Sequence, residues 1–287
     1  MGAGIIACCF ALALGIAISI GHPSAARPTT SLRLVQRVPA HHHGQQDGRT
    51  EMVAITSSLR ACEARLEAQP RRVPTIAIVG ASFTAGMGPD NPELSWAVVL
   101  ARLLRWNAVI YGVPGAGYVA PGADQRGPVE RMLAQERLHG LAPAVVIVQA
   151  GHDDVGQPAN REAPRVESAV DLVQAGAPRA QIALITVFAG ASTPALRAID
   201  HVIVTAGKAA DKQVIIMDPL TGRWKFPRAR RGGLHPSAAG DVWIAHKVAD
   251  ILSAHGVQPA SVAATVPVIC DVAVGMSKPS SDTDRDA

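Results

Sequence analysis

The stretch Thr75-Ile76-Ala77-Ile78-Val79-Gly80-Ala81-Ser82-Phe83-Thr84-Ala85-Gly86 decides the fold. An uncharged, β-branched run ends in small residues, and a hydroxyl follows directly. Such a run suits a strand buried on both faces, as in a parallel sheet. Similar runs recur at Ala108–Tyr111, Ala144–Gln149, Gln181–Val187 and Val214–Met217. Between them lie helical patterns at Pro92–Arg105, Pro128–His139, Pro164–Ala175 and Pro194–Ala210, with a last one at Ser237–His255. Proline at a first turn costs no hydrogen bond, so three of these prolines read as helix starts. The alternation predicts an α/β fold, a three-layer α/β/α doubly wound parallel sheet of about five strands.

Topology then locates the chemistry. Open parallel sheets bind ligands outside the carboxyl ends of their strands. Ser82, Gly115 and Asp153 each fall just past a predicted strand end, so they gather at one rim. The loop bearing His235 needs only to fold across it.

Four short blocks carry a resemblance. They are Gly80-Ala81-Ser82, Gly115 within Tyr111-Gly112-Val113-Pro114-Gly115-Ala116-Gly117-Tyr118, Gly151-His152-Asp153-Asp154, and Gly232-Gly233-Leu234-His235-Pro236. In order, spacing and strand context they resemble the SGNH (GDSL-type) hydrolases, whose blocks read Gly-Asp-Ser, a donor glycine, Gly-x-Asn-Asp and Asp-x-x-His-Pro. The resemblance implies Ser82 as nucleophile and His235 as base. It also implies an oxyanion hole formed by the backbone N–H groups of Ser82 and Gly115 with the side chain at position 153.

Two positions depart from that pattern. The acid that orients the histidine is replaced by Gly232, and the asparagine donor by Asp153. A base works best when a third group accepts its other ring proton. An ionised aspartate only accepts hydrogen bonds and repels an oxyanion. Asp153 and Asp154 are the nearest candidates for an orienting or pocket acid, and both also fit ordinary solvated loop positions. Ser82 in turn fits the N-cap of a following turn. Two functions follow: a serine esterase or acyl hydrolase, or an acyltransferase, acting on acyl esters of carbohydrate or lipid; and a binding protein for envelope glycan or lipid that keeps the pocket without turnover.

Other serine and glycine motifs fail on their mechanics. An α/β-hydrolase elbow needs Gly-x-Ser-x-Gly, whereas residue 84 is Thr. A P-loop needs lysine after its second glycine, whereas Met87 follows Gly86. The glycines at 115 and 117 run into Pro121-Gly122, where no helix starts cleanly, which removes a dinucleotide fingerprint. His41-His42-His43 lacks partners at metal-site spacing, so no metal and no cofactor is expected.

The flanks speak to destination. Ala3 to Ile20 carries no charge and is followed by Pro23 and Ser24-Ala25-Ala26, the pattern of a secretory signal peptide over residues 1–26, with a retained membrane anchor as the alternative. Residues 27–70 read as linker plus an accessory helix from Glu51 to Ala68, residues 71–257 as the SGNH-like domain, and residues 258–287 as a partly disordered tail. Beyond the leader only Cys62 and Cys270 remain, either a disulfide joining the two flanks or two free buried thiols.

Net charge is +4, with Arg223, Lys225, Arg228, Arg230 and Arg231 gathered just before His235. Such a cluster favours an acidic envelope glycan or lipid surface and disfavours the imidazolium. Trp224 and Phe226 between the basic residues are candidates for a sugar or lipid contact. Nucleic acid is not an expected partner, because no stacking residues or recognition motif accompany the charge.

Overall fold

The computed structural model describes residues 58–68, 73–89, 92–122, 129–135, 138–189, 192–230, 233–261 and 266–273. The predicted leader, the His41–43 tract, Arg231 and Gly232 lie outside them. No helix among the described residues is long and apolar enough to cross a membrane.

Six parallel strands form one sheet: β1 (Thr75–Gly80), β2 (Asn107–Gly112), β3 (Val145–Gln149), β4 (Gln181–Ile185), β5 (Ile215–Met217) and β6 (Ile269–Ala273). Their spatial order is β5-β4-β3-β1-β2-β6. The chain leaves β1 toward β2 and returns to the other side of β1 for β3, so the order reverses beside the central strand. Such a switch point opens a crevice at the carboxyl ends.

Among the described residues these α-helical segments accompany the sheet: α1 (residues 58–67), α2 (Trp96–Leu104), α3 (Val129–Gln135), α4 (Leu138–Leu141), α5 (Ala159–Gly176), α6 (Pro194–Ala210) and α7 (Ala238–Ala254). Strand alternation sorts the core into two layers. Ile76, Ile78, Val145 and Ile147 pack with Trp96, Leu100, Ile244 and Val248 of α2 and α7. Ala77, Val79, Val146 and Val148 face Met132, Val166, Val170 and Ile203 of α3, α5 and α6. Because neither face of the sheet meets water, the strands have no polar alternation to display.

Two sequence expectations change. The sheet has six strands rather than about five, since Ile269–Ala273, assigned to the tail, pairs in parallel with β2. Its Ile269 and Cys270 are buried, so the segment gains apolar burial and a hydrogen-bonded ladder at the β2 edge. Helix α5 begins at Ala159, which places Pro164 inside it. The carbonyl that Pro164 leaves without a donor belongs to Asn160, an exposed residue that water can satisfy. The helix predicted over Pro128–His139 is described over Val129–Gln135 and again from Leu138; residues 128, 136 and 137 lie outside the described residues.

Cys62 of α1 and Cys270 of β6 form a disulfide across a sequence separation of 208 residues. Together with Leu66, Val109 and Leu141 they make a small apolar cluster at the β2 edge.

Candidate active site

The rim is built first from a tight turn after β1. The Ala85 N–H donates to the Ala81 carbonyl at 2.9 Å and the Met87 N–H to the Ser82 carbonyl at 3.0 Å, which wraps residues 81–87 into one helical turn. Gln149, the last residue of β3, holds that turn from beneath. Its Oε1 accepts from the Ala81 N–H at 3.2 Å, the Thr84 N–H at 3.3 Å and the Thr84 hydroxyl at 2.9 Å. Gly80 leaves the space this needs, because a Cβ there would lie 2.3 Å from the Thr84 hydroxyl oxygen. Gln149 escaped the sequence reading, although an amide closing the run Val-Val-Ile-Val was the available signal: a buried polar group must find partners.

His235 arrives from the opposite side on a closed loop. The Ala229 N–H donates to the His235 carbonyl and the Ser237 N–H to the Pro227 carbonyl, each at 3.0 Å. Arg228 secures the same loop, donating from Nη1 to the carbonyls of Gly233 at 2.9 Å and Leu234 at 2.6 Å. Its guanidinium lies 4.7 Å from the centre of the Phe226 ring. At the loop's end, Ser237 caps α7 by accepting from the Gly240 N–H at 3.2 Å. Gly88, at φ 117°, backs onto the loop so closely that a Cβ would sit 2.2 Å from the Pro236 carbonyl oxygen.

The two elements bring His235 Nε2 to 3.0 Å from Ser82 Oγ, a hydrogen bond spanning 153 residues of sequence. Ser82 is 8 % exposed. The imidazole pKa is lowered below the ordinary histidine value, chiefly by burial and then by the charge of nearby His152. The basic cluster expected to discourage the imidazolium is therefore not the dominant influence. Nδ1 of His235 makes no hydrogen bond with a described residue, and Gly232 stands where the resembling enzymes carry an acid.

Gly115 lies in the loop after β2 with φ 76°, in the left-handed region that glycine adopts freely. This loop adjoins the serine turn through the Val113 N–H, which donates to the Gly80 carbonyl at 2.9 Å. Among the described residues, the N–H groups of Ser82 and Gly115 have no acceptor.

The third block divides into three fates. His152 is half-buried, and its Nδ1 is enclosed without a partner among the described residues. Asp153 is exposed and makes no hydrogen bond with them. Partial burial pushes the Asp153 carboxyl above the ordinary range, with His152 opposing and Asp154 adding to the push. Asp154 is fully buried, which overturns its reading as a solvated loop acid. Its Oδ2 accepts from the Tyr118 N–H at 2.6 Å, and its Oδ1 from the N–H groups of Val119 and Ala120 at 3.0 and 2.7 Å. Both oxygens being so engaged, Asp154 is bound to the Gly115 loop and not to His235.

The basic run is also reassigned in part. Arg228 is committed to the histidine loop, while Arg223, Lys225 and Arg230 are exposed. Trp224 and Phe226 form no surface contact: each is 7 % exposed. They pack with Phe188 and Trp243, and Phe83 lies against Phe226, Phe188 and, at 5.4 Å between ring centres, His235. An aromatic floor thus supports the Ser82–His235 pair.

Residues 78–242 match the GDSL-like Lipase/Acylhydrolase family. A GDSL lipase of Mycobacterium tuberculosis is 27% identical over 196 residues, covering 63% of this chain and 83% of the lipase. Among solved structures, a family two carbohydrate esterase from Clostridium thermocellum, in complex with cellohexaose, superposes with TM-score 0.52 at 18% identity over 66% of this chain and 67% of that one. An acetyl xylan esterase from Butyrivibrio proteoclasticus gives TM-score 0.51 at 15% identity, covering 65% of both chains. The salicylyl-acyltransferase of a tetracycline biosynthetic pathway gives TM-score 0.51 at 15% identity, over 67% of this chain and 58% of that one. At these identities the structures establish the shared fold, whereas the family match spans all four blocks: this chain belongs to the GDSL-like Lipase/Acylhydrolase family.

Proposed function

We propose that the chain is an exported serine esterase that cleaves acyl groups from carbohydrate or lipid, with Ser82 as nucleophile and His235 as base. The 3.0 Å contact between Ser82 Oγ and His235 Nε2 carries this reading. A serine hydroxyl attacks an acyl carbon usefully only when a base takes its proton during the attack. An imidazole kept neutral by burial is ready for that step at and below neutral pH.

In this mechanism Oγ bonds to the carbonyl carbon and its proton passes to Nε2. The carbonyl oxygen becomes an oxyanion facing the free N–H groups of Ser82 and Gly115. Collapse expels the alcohol, which takes the proton from Nε2 and leaves an acyl-serine. Water, deprotonated by His235, then releases the acid by the same path; an alcohol acceptor in place of water gives acyl transfer. The carbohydrate branch of the proposal draws on the carbohydrate esterases among the fold relatives, and the lipid branch on the mycobacterial lipase. Export rests on the uncharged leader and on the disulfide, which forms and persists in oxidising compartments. The exposed Arg223, Lys225 and Arg230 suit an acidic envelope partner.

The test is labelling with a fluorophosphonate probe together with p-nitrophenyl acetate hydrolysis. Wild type acquires the adduct at Ser82 and turns over the ester, and Ser82→Ala loses both. A specific observation favours a second reading, a glycan- or lipid-binding protein without turnover: His235 Nδ1 has no acidic partner among the described residues, and the asparagine position holds an exposed aspartate. Wild-type protein that binds acylated glycan or lipid but neither labels nor hydrolyses would select that reading.

A further inference from the structure

We propose that Asp154 is the positioning residue of the oxyanion-binding loop: by gathering three successive backbone N–H groups, its carboxylate fixes the conformation that presents the Gly115 N–H to the reacting carbonyl. This rests on the esterase reading and adds a residue to it.

The argument begins with isolation. Asp154 has no exposed surface, and a buried carboxylate is tolerated only when its oxygens are satisfied. Here the satisfaction comes from the N–H groups of Tyr118, Val119 and Ala120, which converge on one carboxylate as in a backbone anion nest. Charge-assisted bonds of this kind are stronger than neutral ones, so they can dictate a loop's shape.

The loop is built around that carboxylate. Its own frame is the Ala116 N–H on the Val113 carbonyl at 3.1 Å, the Gly117 N–H on the Ala120 carbonyl at 3.0 Å and the Val129 N–H on the Gly117 carbonyl at 2.8 Å. Gly117 gives the acid its approach: a Cβ there would lie 2.1 Å from Oδ2 and 2.2 Å from Oδ1. Gly117 does not adopt positive φ, so the space and not the backbone angle requires glycine. Gly115 is two residues away, at the outer end of the same loop, with its N–H unclaimed.

The surroundings disfavour charge on the neighbours of Asp154. Glu162 and Tyr118 lie beside Asp154, both fully buried, and neither the Glu162 carboxyl oxygens nor the Tyr118 hydroxyl has a hydrogen bond of ordinary geometry among the described residues. Burial first, and then the Asp154 charge, hold Glu162 in its protonated form, with a pKa pushed up to about 9. Burial likewise raises the Tyr118 phenol, helped by the charges of Glu162 and Asp154. The partner of the Asp154 carboxyl group is the N–H nest, not either neighbour.

Two variants of the full chain approach the contact from opposite sides. Asp154→Asn presents an –NH2 where an oxygen accepted, and Gly117→Ala pushes the loop off an intact carboxylate. Each is read by hydrogen exchange of the Tyr118, Val119 and Ala120 amides and by kcat and KM on p-nitrophenyl acetate. Protected amides in wild type that exchange at least ten-fold faster in the variants are expected. The expected kcat falls about 100-fold with KM changed less than about three-fold, the pattern of a lost transition-state donor. Should Asp154→Asn not fold, Gly117→Ala decides alone. Unchanged amide protection or unchanged kcat in a folded variant overturns the proposal. Wild type that neither hydrolyses nor labels overturns the esterase reading instead, and amide exchange then still reports whether Asp154 holds the loop.

Discussion

At the scale of single residues, the base proposed here, His235, would set how activity depends on pH. Its pKa is depressed by burial and by His152, so protonation in the folded enzyme occurs below the ordinary value of 6.5. The base is active when neutral. Plotted against pH, kcat/KM should therefore rise through a midpoint under 6.5 and stay flat through neutrality, and a midpoint above 6.5 would contradict the buried-base account. The same shift links to folding with a definite sign: the unfolded chain takes up the proton first as pH falls, so this contribution to stability is present above 6.5 and is lost as pH drops toward the folded value. Ser82, Gly115 and His235 were readable from sequence because each follows a strand or precedes a helix at a position fixed by chain order. The contacts of Asp154, named only as a candidate pocket acid, and of Gln149 were not, because their partners lie 36 and 68 residues away and the contacts exist only once the sheet is assembled.

Among elements, the cap of α2 comes from another helix. Ser95 makes no side-chain capping bond there. Instead Asp241, in the first turn of α7, accepts from the Trp96 N–H at 2.9 Å. Asp241 is fully buried, and burial pushes its pKa from 3.8 up to about 8 despite the opposing pull of that bond. In the unfolded chain the carboxyl ionises near 3.8, so stability from this group is complete below that pH and drains away as pH rises to about 8. Asp241→Asn keeps an acceptor for Trp96 and has no proton to lose. Thermal melting should show the variant gaining on wild type as pH rises across that window, by on the order of a few kcal/mol at its top; parallel melting curves would refute the linkage. Helix boundaries were legible where local chemistry marks them. α6 begins at Pro194 after the capping Thr193, and α7 follows Ser237. α5 lacks a side-chain cap, which let Pro164 pass for a first-turn residue.

For the whole molecule, the disulfide joins a helix before the first strand to the strand after the last helix. Closing a loop of that length restricts the unfolded chain by about 5 kcal/mol in the chain-entropy description. Cys62→Ser with Cys270→Ser should lower the melting temperature without altering the Ser82 contact with His235, because the bond lies at the far β2 edge. Equal melting of oxidised and reduced protein would remove that role. Strands β1 to β5 were legible from their apolar runs, but β6 was not: its five residues acquire meaning only from the exposed flank of β2 that they cover. Among the described strands β6 is also the last in the chain, so during synthesis β2 remains a bare ladder able to recruit a strand from another molecule. Until β6 is in place and oxidised onto α1, intermolecular strand addition at this flank is a hazard that lies away from the Ser82 rim.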